Sequence, residues 1–438
     1  MRYKISLMAA AAAAPLLMAA PAQADSKPAF GAPIALGDGF SLDPIVEGRL
    51  RLEDVQQPQK ALAADAVTMR LRAGFELKNA PSHLALLAEA EGNLALDGAY
   101  NAFPYTLKTS SQYRPTHAVV ADPDSVGLNR LQLQFKTKPL TLTLGRQRIN
   151  LDDQRWVGAS GWRQNEQTFD AVRGQVALGP VSFDGSFAES QRSIYGTDGG
   201  PRVAYDGRFA FLNAGIGNQI ATLKGFAYLL DYNNSAFQNL KATRGQLDSS
   251  QTYGLRTTAK LPIEKGVSLA LAGSYARQYS YAANPRHYAA DYYAVEGNLA
   301  ACGFTLTGGY EMMGADAHAV GGPWSVQTPM ATLHAFDGWA DVFLTTPARG
   351  LGDTYAGLAY AFPKAVPVPG LNAKVIYHQF DSDIGNVNYG HEWDAAIGFK
   401  TGFLNWLVKY ADYRAVGASA LGAGTTTRKF WLQSEFAF

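Results

Sequence analysis

The chain has 438 residues, with 38 Lys and Arg against 37 Asp and Glu, 22 Tyr, 22 Phe, 44 Gly and a single cysteine, Cys302. A 47% apolar content with a slightly negative mean hydropathy excludes a bundle of membrane helices, each of which needs about 20 apolar residues in a row. Aromatics at 12% exclude disorder, one cysteine excludes a disulfide scaffold, and a net charge of +1 offers no footing for nucleic acid.

The N-terminus opens on a basic stretch, Met1-Arg2-Tyr3-Lys4, and an apolar run from Leu7 to Ala20. Small residues two apart, Ala22 and Ala24, then precede Asp25. This order predicts a secretory signal peptide over residues 1–24, cut after Ala24. Losing Arg2 and Lys4 takes the net charge from +1 to −1. Residues 25–42 read as an N-terminal periplasmic segment and 43–438 as one membrane-embedded unit.

From there one pattern repeats: roughly ten residues alternating apolar and polar, then Gly, Pro, Asn or Asp. Period two is the mark of a strand with two different faces. In the first such segment Glu47, Arg49, Arg51 and Glu53 share one face and Val46, Gly48, Leu50 and Leu52 the other. The next sets Thr68, Arg70, Arg72 and Glu76 against Val67, Met69, Leu71, Phe75 and Leu77. A helix would scatter Arg and Leu to every side. About 18 such segments are countable, with 16 as the alternative. Short connections such as Lys78-Asn79-Ala80-Pro81 and Gly179-Pro180 alternate with long ones at about 97–127, 150–166, 190–205, 232–250, 314–350 and 414–427.

That sorting predicts an all-β, transmembrane antiparallel β-barrel in the outer membrane, with short periplasmic turns and long extracellular loops. A lipid-exposed sheet must close, because hydrocarbon satisfies no free edge. Phe75, Tyr228, Tyr253, Tyr275, Tyr293, Phe304, Tyr310, Trp393, Phe399 and Trp406 are expected in its aromatic girdles. A soluble sandwich would not sort its loops by side. The last segment, Phe430 to Phe438, alternates and ends on Phe438, similar to the terminal strand that outer-membrane proteins present for insertion.

A barrel of 16–18 strands encloses an aqueous channel. The inward basic candidates are Arg49, Arg51, Arg70, Arg72, Arg130, Lys136, Arg256, Lys260 and Lys400, beside Glu47, Glu53, Glu76, Glu89, Glu91, Glu296, Glu311, Glu392 and Asp394. These charges either select solutes or pair with one another; the pattern leaves both open. The segment from Gly145 to Asp170 is denser still. Alternation from Leu140, Leu142 and Leu144 sends Arg146 and Arg148 toward lipid, so either Gly145 bulges or the strand has left the membrane. A mouth or inward-folded segment, its Arg, Asn and Gln forming a polar constriction, is the expected outcome. No Ser/His/Asp arrangement suggests an enzyme, and the seven histidines lack metal-ligand spacing. Loops 97–127 and 314–350 read as lids, the second carrying Trp324, Phe336 and Trp339 to pack with.

The runs GRQRINLDDQRWVG and GWRQNEQTFDAVR, with Val120-Ala121-Asp122-Pro123 and the stretch from Thr328 to Asp341, resemble the alginate-export porin family over roughly residues 43 to 438. The resemblance implies an 18-stranded barrel with an Arg-containing pore, carrying an anionic sugar polymer, an oligosaccharide or a related solute, and working beside periplasmic export proteins. It marks Arg146, Arg148, Arg155, Arg163 and Asp170 as constriction or gate positions. The alternative is an uptake porin for small solutes. No cofactor is expected.

Overall fold

A computed structural model describes residues 32–233, 245–364, 366–416 and 426–438; the leader expected over 1–24 lies outside the described residues. Eighteen long antiparallel strands form the barrel wall, all but one of a nineteen-stranded sheet. They are β1 (Phe40–Gln56), β2 (Ala64–Asn79), β3 (Leu84–Ala99), β4 (Ser125–Lys136), β5 (Leu140–Gln147) and β6 (Thr168–Leu178). Next come β7 (Val181–Arg192), β8 (Ala204–Gly217), β9 (Ala221–Tyr232), β10 (Ser250–Glu264), β11 (Val267–Ser280) and β12 (Ala289–Ala301). The last six are β13 (Phe304–Met313), β14 (Leu351–Ala361), β15 (Asn372–Asp381), β16 (Asn388–Thr401), β17 (Leu404–Ala415) and β18 (Thr427–Ala437). The remaining short strand, Ile34–Gly37, folds back on the start of β1.

Each strand pairs with its sequence neighbours, and β18 closes on β1 from Glu47↔Ala437 to Gln56↔Arg428. Closure leaves the wall no free edge, as hydrocarbon requires. The outward face is a continuous apolar skin: Leu50, Leu52, Met69, Leu71, Leu131, Leu133, Leu142, Leu144, Val172, Leu212, Val295 and Leu306 are all exposed on the isolated chain. Tyr253, Tyr275, Tyr293, Phe304 and Trp393 are exposed with them, as a girdle requires. Tyr228 is not. It points inward, buried, its hydroxyl donating to Asn213 Oδ1 at 2.8 Å. It shares its parity on β9 with Thr222 and with Lys224, which reaches Asp152 of the first inward loop, so this is the inward face of the strand. Tyr228 belongs to an aromatic cluster with Phe169, Phe209, Phe211, Phe226 and Tyr232 that fills this side of the barrel.

The rest of the lumen is occupied by two connections that fold inward, residues 148–167 between β5 and β6, and 314–350 between β13 and β14. They are joined to each other: Gly158 N–H donates to Met330 C=O at 2.9 Å and Thr332 N–H to Gln154 C=O at 3.0 Å. Ile149, Val157, Val326 and Met330 lock their apolar sides together. A third connection, 100–124, brings Asp122 onto the first loop, where its carboxylate accepts from Gln164 N–H at 2.8 Å.

Candidate functional site

Period two carries the basic ladder into the lumen. On β1 and β2, Arg49 stands opposite Arg70 and Glu47 opposite Arg72, while the next strand sets Glu91 beside Arg72. The inward loop then covers this ladder. Arg49 donates to the carbonyls of Gly161 and Trp162, both at 3.1 Å, and pairs with Glu435 at 3.0 Å. Arg51 is fully buried, bonded to Gln433 at 2.7 Å, 3.5 Å from Asp122, with its guanidinium 4.0 Å over the Trp162 ring. Arg72 bonds Glu91 and lies 3.3 Å from both Glu47 and Glu166. A bulge opposite Glu89 turns both Asn129 and Arg130 inward, where each reaches Glu89.

Arg148, Arg155 and Arg163 project from the inward loop 148–167. Arg148 bonds Glu166 and approaches Glu89 at 3.5 Å. Arg155 is buried between Glu311 at 2.8 Å and Asp337 at 3.0 Å, with Phe336 stacked on it at 4.7 Å. Arg163 meets Asp341 at 2.9 Å and Glu53 at 3.6 Å. Burial alone would push the Asp341 carboxyl up; His334, Lys429 and Arg163 around it hold it well below the usual carboxylate range.

Other residues singled out by the sequence lie elsewhere. Arg146 and Asp170 face out. The register runs through Gly145 without a shift, setting Arg146 beside the outward Leu131 and opposite Asp170. No bulge intervenes, and β5 ends at Gln147, so Arg148 is the first residue free to turn inward. Arg146 and Asp170 form a two-pronged ion pair at 2.7 and 2.9 Å beyond the apolar skin. Arg256 does face the lumen, paired with Asp153 of the inward loop at 2.8 Å. Lys260 and Lys400 sit on inward parity at the turn-side rim.

Between the plug and the turn side lies a chamber of about 280 Å³. Its floor is wall, with Glu296, Tyr355, Lys374, Ile376 and Leu407; its roof is loop, with Trp162, His334, Phe336, Asp337 and Trp339. Asp153, Glu296, Glu311, Asp337, Asp353 and Glu435 there outweigh Arg49, Arg256, Lys374 and Lys409. The lining is therefore compensated rather than strongly basic. Lys409 was not among the sequence candidates, nor were Lys429, Gln433 and Glu435, although all lie on inward parity. Lys409 sits 3.7 Å over Trp339, 4.3 Å over Trp162 and 2.6 Å from His334 Nε2. Among the described residues, no group of three or more His, Cys, Asp or Glu is placed to hold a metal ion.

The sequence family described as "Alginate export" matches residues 55–193, from the end of β1 into the loop after β7. No curated protein matches the chain in sequence. Three solved structures share its fold at low identity. A BenF-like porin from Pseudomonas fluorescens Pf-5 is 12% identical with a TM-score of 0.67, over 91% of this chain and 98% of that one. OccAB2 of Acinetobacter baumannii is 14% identical with a TM-score of 0.65, over 90% and 98%. OpdK of Pseudomonas aeruginosa, solved with vanillate, is 12% identical with a TM-score of 0.65, over the same shares. The chain is thus similar to the alginate-export family across its early strands and first inward loop, and over nearly its whole described length it has the closed 18-stranded barrel fold of these solved outer-membrane proteins.

Proposed function

We propose that the protein is a gated channel for small polar solutes, with loops 148–167 and 314–350 as its gate and their joined state as the closed form. The observation that carries this reading is the plug itself. Two loops bonded to each other and to opposite walls leave a chamber of about 280 Å³, close to the lower bound of about 300 Å³ for sites that hold one small molecule. The chamber offers tryptophan faces, carboxylates and ammonium groups together, which suits a hydroxylated or mixed-charge solute. The solved OpdK was determined with vanillate, a solute of comparable scale. The long loops would face outward and the turns the periplasm.

Export of an anionic polymer is the second reading. It draws on the alginate-export match over 55–193 and on the Arg49–Arg70 juxtaposition in the lumen. Passage of a chain would require both loops to leave the lumen together.

Planar-bilayer recording with sugars of graded size separates the two. The gated small-solute reading expects low conductance from the intact protein and a several-fold rise on deletion of 314–350. It also expects monosaccharides, and not polyuronate oligomers, to pass at appreciable rates. Unchanged current after the deletion would overturn the gate, and ready passage of polyuronate oligomers would favour export.

A further inference from the structure

His334 sits where both inward loops meet the wall. Its ring stacks on Trp162 at 4.3 Å with planes 7° apart and stands edge-on to Trp431. Nδ1 lies 2.7 Å from Asp341 Oδ1, and Nε2 lies 2.6 Å from Lys409 Nζ on β17. The second contact fixes a proton count whichever tautomer is drawn. Two nitrogens at that separation share one hydrogen, so one of them must supply a lone pair. His334 and Lys409 therefore cannot both be charged while the loop is docked.

Resting on the gate reading above, we propose that the His334–Lys409 contact is an acid-released latch holding loop 314–350 in the lumen. Away from the wall, the imidazole returns to its ordinary pKa of about 6.5 and the lysine stays charged, so below that pH both carry protons. Docking must then expel one proton. The docked-to-released ratio falls tenfold per pH unit below about 6.5 and is level above it. Burial, with Lys409 and Arg163 adding to it and Asp341 opposing, holds the docked His334 well below its ordinary range, which leaves a wide interval for that fall.

Other charges face this node from every side. Asp341 is shared with Lys429 of β18 at 2.7 Å and with Arg163 of the other loop. Lys374 of β15 lies 5.0 Å over Trp339. On β16, Asp394 and Glu392 accept from the Trp339 and Ala340 N–H groups at 3.2 and 2.7 Å. Arg51 of β1 lies over Trp162, and Arg163 also faces Glu53 and Asp122. With so many charged groups packed around the node, the wild-type profile alone does not isolate the latch. A comparison in which only the imidazole changes does.

The test is the open fraction of the full-length protein in planar bilayers between about pH 5 and 7.5, for wild type, His334→Gln and Lys409→Met. Glutamine keeps an uncharged amide beside Lys409 but cannot take the extra proton. Methionine keeps the stem against Trp339 and lets His334 charge beside Asp341. The open-to-closed ratio of wild type divided by that of H334Q should rise about tenfold per unit below pH 6.5, and the K409M profile should follow H334Q. Profiles that are parallel for wild type and H334Q in protease cleavage within 314–350 as well as in current overturn the latch. Protease cleavage within 314–350, read on the same proteoliposomes, separates latch from gate. Acid-dependent cleavage confined to wild type, with no rise in current, upholds the latch and overturns the gate reading.

Discussion

Arg49 and Arg70 stand directly opposite one another on β1 and β2, two cations in one cross-strand pair. Like charges in that position are destabilising, and a wall built only for stability would avoid them. Arg49 is answered by Glu435, but Arg70 is buried and, among the described residues, has only Glu47 within ion-pair distance, at 3.7 Å, while its Nε and Nη1 make no hydrogen bond. The pair is thus the least compensated positive point on the ladder.

Replacing Arg70 with glutamine should remove that point without harming the barrel. A unit charge at 4 Å in water is worth about 1 kcal/mol, or roughly five-fold in local ion concentration. The R70Q channel should show an anion-to-cation permeability ratio lower by up to that factor, measured by reversal potential in a salt gradient. Its heat resistance on a gel should equal or exceed that of wild type, since a like-charge pair is relieved. An unchanged ratio would mean that the ladder lies off the conducting path.

Arg155 tests the plug rather than the ladder. It is the sole cation within ion-pair distance of Glu311 and Asp337 among the described residues, and it bridges the two inward loops and β13. Removing one partner from a buried ion pair costs about 3–5 kcal/mol, because the others stay buried and uncompensated. R155M should therefore undock the loops at neutral pH, seen as faster protease cleavage within 314–350 and higher current. Adding Asp337→Asn should restore part of the loss. A double variant as impaired as the sum of the singles would show that the two residues act separately.

The wall strands were legible because their two faces meet different solvents, so Leu50, Leu52, Arg49 and Arg51 sort by parity alone. The same rule, applied to β18, would have found Lys429, Trp431, Gln433 and Glu435 opposite Phe430 and Leu432. Applied to β9, it sets Tyr228 on the parity of Thr222 and Lys224, inward, so an aromatic near a strand end is not by itself a girdle residue. Loop contacts were not legible from pattern at all. Arg155 and Asp337 are 182 residues apart, and nothing periodic connects them. What pointed to Arg155 and Arg163 was the resemblance of the surrounding run to a known family.

Gly309 supports the chamber in a way no strand pattern suggests. Tyr355 on the next strand lies across it, and a Cβ at 309 would come within 2.2 Å of the Tyr355 ring. That close approach lets the Tyr355 hydroxyl donate to Glu296 at 2.8 Å. G309A should displace the ring, costing about 1–3 kcal/mol as overpacking. It should also take the Tyr355 donor from the Glu296 carboxylate, which then keeps the Asn298 amide. In a G309A/Y355A double variant most of that cost should vanish, because the clash has no second partner. Urea midpoints in detergent measure it; simple additivity would place Tyr355 elsewhere.

Adjacent parity at the end of β5 makes the sharpest test of where the pore begins. Arg146 follows the strand outward to Asp170, whereas Arg148, two residues on and past the last strand residue, turns inward to Glu166 and Glu89. Strict alternation would keep both on the lipid face. Cys302 is exposed, so cysteine probes require C302S as the background. In that background, a charged, membrane-impermeant thiol reagent should reduce the current of R148C, because the adduct stands in the lumen beside two carboxylates. The same reagent should leave the current of R146C unchanged, since its adduct would lie outside the wall. R146A should leave conductance and selectivity at wild-type values, with at most about 1 kcal/mol of stability lost, as for an exposed ion pair. Equal block at both positions would place the strand end before Gly145 and return Arg146 to the constriction.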